Sequence, residues 1–221
     1  MLHTQYLSEK QVLQKLNEAA NLYSKYADYD LMFIFRHSQN DTYENYGVHF
    51  GKRNFMHLAG IKSKNLNAVQ FFQACVNGNL RIQDCNPRHD TANMHSKISI
   101  MGELLDLYHS KLYKIGRKNL ITRDNDFEVV TGNSYGVIGY DSRVSYIGEK
   151  NSKNILPVPT TLLTNPISDY CSKPEKIMFI LRKRPTDSKY NEMFYEIKKE
   201  LFVREYVKLS ESIRNCISLC I

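Results

Sequence analysis

Tryptophan is absent from this 221-residue chain, and no glycine-rich run ending in Lys-Ser or Lys-Thr appears among its 10 glycines. Without such a phosphate-cradling loop, ATP-driven and dinucleotide chemistry lose their usual carrier. A Gly-x-Ser-x-Gly elbow is missing too, which disfavours hydrolase chemistry on a doubly wound sheet. No apolar run approaches the ~20 residues of a membrane span, and the N-terminus has neither the cationic start nor the apolar core of a signal peptide. The five cysteines, at 75, 85, 171, 216 and 220, are odd in number and irregular in spacing, unlike a secreted disulfide scaffold. A reducing, cytoplasmic setting without membrane attachment is the expectation. Cys85, His89 and His95 match no four-ligand zinc spacing, and the acidic residues fall mainly in turns and on helical faces rather than in a paired cluster. Neither a metal nor another cofactor is therefore expected.

What the chain does have is positive charge and aromatic rings. Thirty Lys and Arg stand against 23 Asp and Glu, a formal +7, with 15 Tyr and 10 Phe interleaved. That balance suits a polyanionic partner, and rings can stack on unpaired bases. A hydrophobic share of 42% is ordinary for a globular protein. The length fits one main domain over 1–186 with a helical extension over 187–221.

Local patterns predict the elements. Ser8 and Gln11 form a capping box for a helix over 8–25. The run 31–36 reads as a buried strand, 37–45 as a loop, and 46–50 and 54–61 as extended segments flanking Gly51-Lys52. A second helix is expected over 65–76. A third follows the seam Met94, Ile98, Met101, Leu105, Tyr108, Leu112 and Ile115. Short strands at 119–123, 127–131, 135–140 and 143–147 are separated by turn residues, as in an antiparallel meander, and 148–154 reads as a polar loop. A last strand over 176–182 ends in Arg182-Lys183-Arg184, and the chain from 187 reads as helical, with a phase shift at Leu201-Phe202. The fold class is thus α+β: an antiparallel sheet of about four to six strands against N-terminal and central helices, with a C-terminal helical extension.

The segment Asn54-Phe55-Met56-His57-Leu58-Ala59-Gly60-Ile61 places an imidazole among apolar residues directly after Lys52-Arg53. Imidazole titrates near neutrality, so this residue suits proton transfer to or from a phosphodiester. RNA carries its own nucleophile, the 2′-hydroxyl. Its cleavage needs a base for that proton, cations for the charged phosphorane and an acid for the departing 5′-oxygen. His57, the hydroxyls of Thr160 and Thr161, and Arg182, Lys183 and Arg184 are the residues that fill those roles without metal. The bland readings are a hydrogen-bonded core histidine, a proline-turn pair of threonines and a solvated strand end.

Three signatures, the 54–61 segment, Ala68-Val69-Gln70-Phe71-Phe72 and Pro159-Thr160-Thr161-Leu162-Leu163, resemble the phage-associated branch of the barnase, EndoU, colicin and RelE-like nucleases over roughly 31–184. That resemblance implies helices on an antiparallel sheet and metal-independent RNA cleavage by a toxin or phage-nuclease type of enzyme. It carries the catalytic role to His57, with Thr160, Thr161 and Lys183 at the phosphate. Lys52, Arg53, Arg182, Arg184 and Tyr140 are the expected nucleic-acid contacts. Ala59 stands where such nucleases often have Thr. The implied partners are RNA and a neutralising antitoxin or ribonucleoprotein. Two other classes stay open: a non-catalytic binding inhibitor on the same basic surface, and a homodimer built on the C-terminal helix or on the helix over 91–115.

Overall fold

The computed structural model describes residues 6–107, 113–117, 127–141, 156–194 and 199–219. Helix α1 (Glu9–Ser24) starts at the expected box: Ser8 accepts from the Gln11 N–H while the Gln11 side chain accepts from the Ser8 N–H. It buries Val12, Leu16, Ala19, Ala20 and Tyr23. Strand β1 (Tyr29–Arg36) then pairs antiparallel with β2 (Tyr43–Phe50) and, on its other side, with β9 (Glu175–Lys183). The remaining strands, β5 (Lys114–Arg117), β6 (Val129–Gly132), β7 (Val137–Asp141) and β8 (Val158–Leu163), complete the antiparallel order β2-β1-β9-β5-β6-β7-β8. The short β10 (Glu192–Met193) pairs with β9. The sheet curls until its two ends meet, where the His49 N–H donates to the Pro157 carbonyl at 2.9 Å.

Alternation along each strand separates two faces. Leu31 and Phe33 point into the main core with Ile138, Tyr140 and Leu162, beneath α1, α2 (Asn54–Leu58), α3 (Ala68–Val76) and α4 (Thr91–Leu105). Met32 and Ile34 point the other way with Phe179 and Leu181. There they meet Phe202, Leu209, Ile213 and Ile217 from the segment carrying α5 (Lys199–Tyr206) and α6 (Glu211–Asn215). A third cluster, Phe127, Val130, Val137, Ile167, Tyr170 and Cys171, covers that outer face near β6 and β7. The residues offered by the sequence to a second copy through the C-terminal helix thus lie against the chain's own sheet. Among the described residues no helix is long and apolar enough to cross a membrane.

The α+β class stands, with a larger sheet than the four to six strands expected. Three local expectations change. His57 lies in the helical turn α2, not in extended structure. Helix α4 stops at Leu105, where the Tyr26 and Tyr113 hydroxyls donate to the Leu105 and Leu104 carbonyls at 2.9 and 2.6 Å. These satisfy acceptors of the last turn that would otherwise be orphaned, and Ile115 falls in β5 instead. Tyr190 and Phe194 are not helical, because Tyr190 bridges to Ile217 and the Phe194 N–H donates to Ile180 beside β10. The expected strands 119–123 and 143–147, and the loop 148–154, lie outside the described residues.

Candidate functional site

The chain leaves β2 through Gly51, whose N–H donates to Asn54 Oδ1 at 3.1 Å and whose carbonyl accepts from the Tyr23 hydroxyl at 2.9 Å. This fixes the entry into α2, which buries Phe55 and Leu58 and leaves His57 half-buried on its flank. Gly60 follows with φ +70°, the left-handed region that glycine adopts without strain. The turn delivers Ile61 into β3 (Ile61–Lys62), paired with β4 (Asn86–Pro87). The Arg88 N–H then donates to the Gly60 carbonyl at 2.8 Å, holding Arg88 and His89 beside α2. Helix α4 opens two residues later with Asp90 as its N-cap, accepting from the Asn93 N–H at 2.7 Å. Lys97 reaches back across the turn, so that a β-carbon on Gly60 would stand 3.1 Å from its Cδ. Four basic side chains from two stretches of chain thus converge.

Among the described residues no acid pairs with Arg88 or Lys97. Lys97 is only 8% exposed. Burial, and then the nearby Arg88 guanidinium, lower its affinity for a proton. Burial first, then Arg88, Lys97 and His89, push the His57 imidazole down to about 4. Among the described residues no hydrogen bond or ion pair engages the side chains of His57, Arg88, His89 or Lys97. A buried ammonium without a counter-charge is costly, and an anion beside it would offset that cost.

Of the residues singled out by sequence besides His57, the threonine strand lies beside α2, since α2 lies against β8. Thr160 shares the helix-covered face with Leu162 and sits at a bulge, its hydroxyl donating to the Gly139 carbonyl at 3.3 Å. Thr161 points to the outer face, where its Cγ2 lies 2.9 Å from the place of a β-carbon on Gly139. Lys183 is on the outer face too, paired with Asp30 at 3.2 Å and donating to the Asp187 carbonyl at 2.7 Å. Asp30 also bonds His49 Nδ1 at 2.9 Å. Arg182 pairs with Glu192 at 2.7 Å, donates to the Lys25 carbonyl and lies over the Tyr29 ring. The Arg184 N–H bonds Asp187 at 3.2 Å. Lys52 pairs with Asp28 at 2.7 Å, and Arg53, exposed at the start of α2, is itself engaged.

Tyr140 is fully buried, its hydroxyl 2.7 Å from Thr131 Oγ1, and so presents no ring to a base. Among the described residues no three His, Cys, Asp or Glu side chains gather as a metal-binding group. His95 Nδ1 instead accepts from the Leu7 N–H at 2.9 Å. Arg88 and Lys97 escaped the sequence reading. The signal was there: Lys97 interrupts the buried seam between Met94 and Ile98.

Residues 15–199 match the family model described as phage-Barnase-EndoU-ColicinE5/D-RelE like nuclease4. Neither the curated proteins nor the solved structures hold a match to the chain.

Proposed function

Because the chain belongs to this nuclease family, we propose that it cleaves RNA without a metal, at the cluster around His57. The observation that carries this reading is the unpaired, buried Lys97 beside Arg88 and a neutral imidazole. At neutral pH His57 is unprotonated and can take the 2′-hydroxyl proton as the 2′-oxygen attacks phosphorus. Arg88 and Lys97 stabilise the charge that builds on the phosphorane oxygens. Lys97, whose hold on its proton burial has weakened, supplies the proton for the departing 5′-oxygen. The products are a 2′,3′-cyclic phosphate and a 5′-hydroxyl. Thr160 keeps the strand bulge in place through Gly139 rather than contacting phosphate. Lys183, committed to Asp30 on the far face, has no part in the reaction.

The test is incubation of end-labelled RNA, and of the same sequence in DNA, with wild-type protein, His57→Ala and Lys97→Gln in EDTA. Chelator-resistant cleavage of RNA alone, lost in both variants, is expected. Binding without cleavage by the wild type would replace the nuclease with a binding protein, and equal cleavage of DNA would remove the 2′-hydroxyl mechanism.

A further inference from the structure

The cluster around His57 has a property that cleavage alone does not require. The charged groups acting on His57 are Arg88 and His89 from the segment between β4 and α4 and Lys97 from α4, while neutral Asn93 lies beside Gly60 and the strand of Thr160 beside α2. On its own segment, Lys52 is tied to Asp28. The neighbouring acid Asp90 is turned to the Asn93 N–H. Among the described residues the groups acting on His57 are all basic, and Lys97 is buried with its ammonium unanswered.

Three of the causes that keep His57 neutral, the charges of Arg88, Lys97 and His89, are electrostatic, and an anion can offset them. An anion seated between Lys97 and Arg88 cancels their repulsion and adds a negative neighbour, which favours the imidazolium. A tetrahedral dianion fits best, because its oxygens can meet the ammonium, the guanidinium fork and the ring N–H together. We propose that a phosphomonoester dianion, free or at the end of an RNA strand, binds among Lys97, Arg88 and His57 and draws one proton onto His57, so that phosphate-ended product inhibits the site. The inhibitory role rests on the nuclease reading; the proton-coupled binding does not.

The experiment follows the His57 ring C–H signals by NMR between pH 4 and 8, assigned by their loss in His57→Gln. The additions are sulfate, which stays a dianion throughout, uridine 3′-phosphate, and uridine. Sulfate and the nucleotide should raise the titration midpoint by at least about one pH unit, equivalent to anion binding roughly fivefold tighter at pH 4 than at neutrality. Uridine should leave it in place. Lys97→Gln should abolish both binding and shift; Arg88→Gln, an exposed side chain, gives the same readout if the Lys97 variant does not fold. A midpoint indifferent to sulfate and nucleotide, or equal responses to uridine and its phosphate, overturns the proposal. So does binding unchanged in the folded variants. The two readings fail separately: a linked shift without RNA cleavage removes only the inhibitory role, whereas cleavage without a shift removes the proton coupling and leaves the nuclease.

Discussion

Two basic clusters in this molecule look alike in sequence and behave as opposites in space. Arg182-Lys183-Arg184 is contiguous and sits at a strand end, yet its two long cations Arg182 and Lys183 meet Glu192 and Asp30. Arg88, His89 and Lys97 are spread over ten residues, and with His57 they converge without a counter-charge among the described residues. Positive charge that is already paired stabilises the fold and is spent there. Positive charge held apart from every acid costs stability, and that cost is the physical mark of a group kept for a ligand.

The sharpest way to break this contrast is at His57. Removing its ring in His57→Ala should lower RNA cleavage by about 10³-fold, within the ~10²–10⁴ contribution of a proton-transfer group, as read by single-turnover kinetics. Lys183→Met should leave that rate within about threefold.

Stability should then divide the clusters, by its pH dependence at His57 and by opposite mutational signs at the two lysines. The folded His57 value of about 4 lies below the unfolded value, so the unfolded chain binds the proton more tightly. The contribution is complete above roughly pH 6.5 and is lost as pH falls toward 4, about 3 kcal/mol in all. The difference between urea unfolding curves of wild type and His57→Gln at pH 7 and 4.5 measures it, and equal pH dependence in the two proteins would remove the assigned environment.

Smaller but opposite effects are expected from the two lysines. Lys183→Met strands the Asp30 carboxylate with His49 alone and should cost ~2 kcal/mol, whereas Lys97→Met relieves an unanswered charge and should gain ~1 kcal/mol while abolishing cleavage. Thermal unfolding of both variants checks the signs; destabilisation by Lys97→Met would argue that its ammonium is paired.

The smallest effect belongs to Gly60→Ala, at about 1 kcal/mol for an alanine at positive φ. Its added carbon crowds the Lys97 stem at 3.1 Å, so cleavage should fall more than stability. Parallel kinetics and melting compare the two losses.

Much of this was legible before any coordinates. The capping box at Ser8 and the antiparallel strands expected over 127–131 and 135–140 are local signals, and each appears close to where its chemistry put it. The helical turn at His57 was not, because five residues without a side-chain cap carry too little periodicity to be told from a strand. The site's cations were hidden for another reason. Whether a lysine is answered depends on acids far away in sequence: Asp30 lies 153 residues from Lys183, and no spacing rule reports it. Lys97 could be noticed as a charge inside an apolar seam, but only the left-handed turn at Gly60 brings it to His57.

The meeting of the two sheet ends has a consequence for the protein's life in a crowded solution. An open sheet of this size displays two rows of unsatisfied amides and carbonyls, each a template on which another chain can grow. Here the β2 margin is met by the Pro157 carbonyl and β8 is flanked by α2, the helix that carries His57. The turn that sets up the chemistry therefore also guards a border against self-assembly, and substitutions that unravel α2 are expected to cost solubility as well as turnover.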